Sequence, residues 1–177
     1  VTPTAIGTDS DTYTPLTDTV GTLYYYCIVT QPFSGCEATT QLVSVTVNQG
    51  PSFDLEPVSE TICLGDNLNN LVVSVINGAG LPTYQWYFNT VDNITSGTII
   101  PNATSNVYSP PSLTVGVLYY YCKVNFNSGG CQEIISATAE ITINQVPVIS
   151  NFNDLICSDN LFSIIPDNTN GDIVPTN

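Results

Sequence analysis

Basic residues are almost missing from this 177-residue chain: one Lys or Arg, Lys123, and no His stand against 15 Asp and Glu, a formal net charge of -14. A surface so poor in cations cannot neutralise phosphates, which argues against nucleic acid as a partner. It also offers nothing for anionic lipid head groups to attract. No apolar run approaches the roughly 18 residues of a spanning helix, so no membrane insertion is expected. There is no Cys-x-x-Cys pair, and without His the common zinc ligand sets are missing. Catalytic patterns are equally scarce: no Gly-x-Ser-x-Gly, no Walker or Rossmann glycines, and nothing singles out one carboxylate pair for acid–base chemistry. A non-catalytic protein is expected. A signal peptide is missing too, since Val1 opens directly onto polar, turn-rich sequence. The chain is therefore expected to begin after a removed export signal or far downstream of one.

What is present points to strands. Apolar residues make up 42% of the chain and include ten Tyr, too hydrophobic a composition for disorder despite the net charge. Val, Ile, Thr and Tyr dominate, and no long amphipathic helix is legible, so the fold class is all-β. Six Cys in such a chain suggest an oxidising, extracellular location and disulfides rather than a metal centre.

The strongest signal is an internal repeat. Tyr13, Pro15, Val20, Gly21, Leu23, the Tyr24-Tyr25-Tyr26 triplet and Cys27 recur 95 positions later, from Tyr108 to Cys122. Gly35-Cys36 recurs as Gly130-Cys131, Val45-Thr-Val-Asn-Gln49 as Ile141-Thr-Ile-Asn-Gln145, and Ile62-Cys63 as Ile156-Cys157. On this frame residues 1–49 are the C-terminal half of a module, 50–145 a complete module and 146–177 the N-terminal part of a third. Half a sandwich cannot bury its own core. The ends are thus expected either to be fragment boundaries or to be completed by neighbouring copies.

Within the complete module, alternation and turn residues predict strands at Leu71–Ile76, ended by Asn77-Gly78, at Tyr84–Phe88 around the only Trp, and at Val117–Val124 and Ile134–Ile143. The last two are separated by a hairpin loop over Asn125–Gly130. The connections Gln49-Gly50-Pro51 and Gln145-Val146-Pro147 are short and restricted by Pro, so modules are expected to stack end to end as a semi-rigid rod.

Trp86 and the Tyr120-Tyr-Cys122 run resemble the strand C Trp and the strand F tyrosine corner of the immunoglobulin fold. One departure stands out: Cys63 lies 23 residues before Trp86, whereas the strand B Cys of antibody-type domains lies about a dozen before it. Val73 or Val75 takes that slot, Cys63 falls in the first strand pair before the Gly65-Asp66 turn, and the usual bridge between strands B and F comes into question. A closer match is carried by Ile62-Cys-Leu-Gly-Asp66, Tyr84-Gln-Trp-Tyr87, Ile100-Pro-Asn-Ala-Thr-Ser105, Tyr108-Ser-Pro110 and Tyr119-Tyr-Tyr-Cys122 followed by Gly130-Cys131. These resemble the Ig-like and PKD-like repeats of giant Bacteroidota surface adhesins, including gliding-motility adhesins. Ile156–Pro166 and Gly171–Pro175 look like the opening of a PKD-like module. The resemblance implies type IX secretion and display as a long surface filament, acting as spacer and contact surface toward neighbouring modules, surface polysaccharide or other cells. It also implies a Cys63–Cys131 disulfide, with Cys122 a buried free thiol or an alternative partner, and Cys27, Cys36 and Cys157 as the remaining candidates.

Several polar motifs carry a second reading beside an ordinary structural one. Asp9-Ser-Asp11 and Gly65-Asp66-Asn67 gather oxygen ligands that calcium favours, but Asp and Asn are also common turn residues. Asn93-Ile-Thr95 and Asn102-Ala-Thr104 fit the N-glycan triplet, and Asp18-Thr19-Val20 resembles the O-glycosylation motif of Bacteroidota. Alternation sends Tyr120 into the core and Tyr119 and Tyr121 to the outer face, where cross-strand packing competes with a sugar-binding platform. Two rival functions remain: a filament subunit completed by strands from neighbouring copies, and a carbohydrate-binding accessory to a secreted enzyme.

Overall fold

A computed structural model describes residues 2–7, 9–128, 133–149, 155, 157–159, 161 and 172–173. The described residues are all-β, in several sheets. The first four strands are β1 (Gly21–Tyr25), β2 (Ile28–Thr30), β3 (Glu37–Thr39) and β4 (Val43–Val47). Next come β5 (Ser52–Leu55), β6 (Glu60–Cys63), β7 (Leu71–Val72), β8 (Ser74–Ile76) and β9 (Pro82–Asn89). The remainder are β10 (Thr98–Ile99), β11 (Val107–Tyr108), β12 (Gly116–Phe126), β13 (Ile134–Ile135) and β14 (Ala139–Asn144).

One six-stranded sheet, in the order β10-β9-β12-β14-β6 with β13 beside β12, is the platform on which the rest packs. The pairs β5–β8 and β7–β11 lie opposite it: Leu71, Val73, Phe53 and Val75 close on Trp86, Tyr120, Cys122, Val124, Ala139, Ile141 and Ile143 in one core cluster. The alternation of β14, buried-exposed-buried over Ala139, Glu140 and Ile141, shows why: one face of a strand meets the core and the other meets water.

The predicted strands are present, with two interruptions that have a visible cause. The 71–76 run breaks at Val73, whose amide donates to Asn106 O at 3.0 Å while the chain passes from pairing with β11 to pairing with β5. The 134–143 run breaks after Ile135 because Ser136 is buried and turns to the β12 backbone. Its amide donates to Cys122 O at 2.9 Å, and its Oγ accepts the Cys122 amide at 2.9 Å. The hairpin loop expected from Asn125 starts later, because β9 carries the ladder on to Phe126 opposite Pro82. The turn at Asn77-Gly78 has φ of 62° and 79°, which Asn and Gly tolerate best.

The chain arrives at one end of this unit and leaves at the other. The Gly78 amide donates to Gln49 O at 3.0 Å, and a Cβ on Gly78 would stand 2.9 Å from the Phe126 ring, so the incoming segment lies at the Phe126 end of β12. We call this end the head. Strand β14 runs antiparallel to β12 and ends opposite Gly116, with β6 parallel beside it and Asn144 paired to Cys63. This is the tail. Between them β12 spans 11 residues, roughly 35 Å at about 3.3 Å per residue.

The N-terminal residues repeat this ladder. Gly21↔Val47, Leu23↔Val45 and Tyr25↔Val43 in β1–β4 correspond to Gly116↔Ile143, Leu118↔Ile141 and Tyr120↔Ala139 in β12–β14. Ile28↔Thr39 in β2–β3 likewise corresponds to Lys123↔Ile135. Even the bond from the Cys122 amide to Ser136 Oγ has its counterpart, from the Cys27 amide to Thr40 Oγ1 at 2.9 Å. Burial is where they part. Leu23 and Val43 are 58% and 59% exposed, whereas Ala139 is fully buried.

Candidate functional site

The centre of the complete unit is an aromatic stack. Trp86 is fully buried; its indole Nε1–H donates to Ser105 O at 2.8 Å and its ring stacks on Tyr108 at 5.8 Å. Tyr108 in turn tilts against Tyr120 at 5.7 Å, a spacing at which aromatic pairs attract beyond their buried area. Tyr13 and Tyr25 make the same contact in the N-terminal ladder, 5.8 Å at 41° against 5.7 Å at 40°. Of the two valines left open by the sequence, Val73 is fully buried in the cluster with Trp86 and Cys122, and Val75 packs against it partly buried.

Cys122 is consequently a buried thiol among apolar neighbours. Desolvation pushes its pKa up to about 12 despite a backbone hydrogen bond from Gln85 that acts the other way. Tyr120 is pushed to about 12 as well, by desolvation first and then by Tyr108. Both groups keep their protons in the folded state after the unfolded chain has lost them, so stability is fully present below about pH 9 and declines as pH rises toward 12. The urea midpoint should fall across that window, and less steeply in Cys122→Ala. At pH 8 a thiol reagent should modify the exposed Cys27, Cys36, Cys63 and Cys157 promptly and reach Cys122 only on unfolding.

The outer face of the large sheet does not present an open tyrosine platform. Tyr121 points outward as the alternation requires, yet it is 1% exposed. It stacks on Tyr87 at 5.2 Å and 7°, and its hydroxyl accepts the Gly97 amide at 3.2 Å from the loop that covers it. A Cβ on Gly97 would stand 2.5 Å from that hydroxyl. Gly97→Val should therefore lift the loop and cost about 1–3 kcal/mol by overpacking, measurable as a lower urea midpoint with Trp86 still buried. Tyr119 is half-buried, and a hydrogen bond to Glu140 raises its pKa ahead of desolvation and the neighbouring carboxylate charges. Lys123 lies 5.4 Å from the Tyr87 centroid and pairs with Glu133 at 3.3 Å, and Asn125 Nδ2 donates to the same carboxylate at 3.0 Å. The lone cation is thus held in the sheet surface.

The other candidate residues do local work. Asp66 Oδ2 accepts the Cys63 amide at 3.3 Å and the Asp66 amide donates to Cys63 O at 3.0 Å, closing the turn after β6 in which Gly65 has φ 91°. Asp9 and Asp11 are exposed. Among the described residues no group of three His, Cys, Asp or Glu is placed to hold a metal ion. Asn93 Oδ1 accepts both the amide and the hydroxyl of Thr95, at 2.5 and 2.7 Å, so this triplet forms its own turn. Asn102 is exposed at φ 63°, and Thr19 is exposed with its hydroxyl on Asp18.

The cysteines divide by position. Cys27, Cys36, Cys63, Cys122 and Cys157 are free, and Cys131 lies outside the described residues. The Cys63 strand, β6, runs parallel beside β14, which puts Cys63 at the tail. Glu133, two residues after Cys131, stands at the head, with its carboxylate on Lys123 and Asn125.

The clefts repeat too. One of about 330 Å³ lies over Leu118, Tyr120, Ile141 and Ile143 near the tail, and one of about 250 Å³ lies over the corresponding Leu23, Tyr25, Val45 and Val47. Residues 57–145 match a family described as a domain of unknown function (DUF8696), a match that ends at Gln145 where the sequence repeat also ends. No curated protein matches the chain.

Proposed function

We propose that this chain, which belongs to the DUF8696 family, is a run of tandem immunoglobulin-like sandwich modules in a long extracellular surface filament, a non-catalytic spacer and contact surface. The observation that carries this reading is the placement of the chain at the two ends of the 50–145 unit: Gln49 arrives at the head and Asn144 leaves at the tail. A unit built so adds its full length to whatever precedes it, where one whose termini met would only decorate a strand. The repeated ladder and the repeated Tyr–Tyr contact support a tandem arrangement. Short Pro-containing connections support stiffness, and a surface with one basic residue gives trypsin little to cut.

The test is electron microscopy and protease shaving of cells bearing the protein, with antibody raised against residues 50–145. A large, surface-exposed band and rods with an axial repeat of about 35–45 Å are expected. A band near 19 kDa that assembles into denaturant-resistant polymers would instead favour the filament subunit completed by strands from neighbours. The exposed apolar face of β1–β4 is what keeps that second reading in play.

A further inference from the structure

The face of β1–β4 is open where the corresponding face of β12–β14 is covered. Val20 and Leu23 are 57% and 58% exposed, and a cleft of about 250 Å³ lies over Leu23, Tyr25, Val45 and Val47. In the complete unit Leu118, Tyr120, Ile141 and Ile143 hold the same ladder positions, and Phe53, Leu71, Val73 and Val75 pack in one cluster with them. The far edge of β14 pairs in parallel with β6, while among the described residues β4 pairs with β1 alone. The complete unit therefore shows what this surface takes: a segment of the design of residues 51–76, which brings an apolar face and a strand for the edge.

A counterpart of that segment follows the complete unit. Pro147 corresponds to Pro51, and Ile156-Cys157 to Ile62-Cys63. Val148 pairs antiparallel with Ile173, as Ser52 does with Ile76. The next residue differs in its surroundings: Phe53 packs against the core, whereas Ile149 is 67% exposed. Neither 1–49 nor 146–177 carries a basic residue, so apolar contact and edge pairing must hold them together, and salt should strengthen the contact by screening their acids.

We propose that residues 146–177 of one copy seat on the β1–β4 face of a second copy, with Ile149 over the ladder as Phe53 lies over β12–β14. The inference rests on the tandem reading. In an end-to-end array β1–β4 lies beyond the head, with Val47 two residues before Gln49, whereas Ile149 lies five residues past Asn144 at the tail. Five residues reach at most about 18 Å, half of the roughly 35 Å that β12 spans. The donor therefore belongs to another copy, and copies join tail to head. Two partial surfaces must offset the entropy of association, so the junction forms in concentrated samples and opens on dilution.

The test weighs the full chain by sedimentation over a range of concentrations, with hydrogen exchange on the same samples. Wild type is expected to grow through multiples of the chain mass and to return to monomer on dilution, its β1 and β4 amides protected in the associated sample. Leu23→Glu disables the acceptor and Ile149→Glu the donor; both side chains are exposed in the single copy, so the 50–145 unit keeps its fold. Each variant alone should stay monomeric, and an equimolar mixture should stop at twice the chain mass. Association surviving in either variant alone, a mixture that stays monomeric, or β1 protection independent of concentration would each overturn the docking. A chain with a second copy of residues 50–95 joined ahead of Val1 separates this from failure of the tandem reading. That graft restores the repeat frame within one chain, so its β1–β4 amides should be protected at any dilution and association lost. If the graft leaves them unprotected, the repeat frame falls and the docking with it. A protected graft beside a wild-type chain that never associates sinks the docking alone.

Discussion

Trp86→Ala should destabilise the 50–145 unit by about 3–5 kcal/mol, the range for removing a large buried aromatic. The loss has three parts. A fully buried indole is replaced by a methyl, leaving a cavity in the cluster that holds Leu71 of β7, Val73 at the break before β8 and Cys122 of β12, which cannot easily fill it. Tyr108 loses its stacking partner and loosens its own contact with Tyr120. The Ser105 carbonyl loses the indole hydrogen bond and must find water or remain unpaired. A domain of this size has about 5–15 kcal/mol to lose, so the variant should be largely unfolded well below the wild-type midpoint in urea. Trp86→Phe, which keeps a ring and sacrifices the hydrogen bond, should fall between the two. A cost below about 1 kcal/mol for Trp86→Ala would mean that the stack does not organise the core.

That core was legible because its signals are short-range and chemically distinctive. A lone Trp in an alternating strand and a Tyr two residues before a Cys are such signals, and Trp86 and Tyr120 both lie in the buried cluster; of the two valines left open, Val73 is in it and Val75 packs against it partly buried. The repeat carried more than composition: offsets of 95 and 96 residues reappear as identical ladder registers in β1–β4 and β12–β14. What stayed hidden depends on segments far apart in the chain. Alternation put Tyr121 on the outer face correctly, but nothing in its neighbours foretold that Gly97, 24 residues earlier, would bring a loop over it. Cys63 was read as part of the first strand pair, while its place beside Asn144 follows from the parallel register of β6 with the distant β14.

Identical local sequence also does not determine burial, and the sharpest expected contrast follows from that. Tyr25 and Tyr120 share register, triplet, preceding Gly-x-Leu pattern and aromatic partner. Tyr120 is closed in by Leu71 and Val73 from the facing strands. Tyr25 is only half-buried on a face where Leu23 and Val43 remain largely exposed. Tyr120→Ala should therefore cost about 3–5 kcal/mol, and Tyr25→Ala in the same chain about 1 kcal/mol or less, because little apolar area leaves water when the β1–β4 ladder forms. Urea denaturation followed by Trp86 fluorescence reads the first as a large fall in midpoint and the second as almost none. Should Tyr25→Ala prove as costly as Tyr120→Ala, as seen by exchange of the β1 amides, the face of β1–β4 is covered in solution. Dilution then separates the two ways this can happen. A cost that shrinks at low protein concentration identifies a second copy as the cover, and a cost independent of concentration places the cover within the chain.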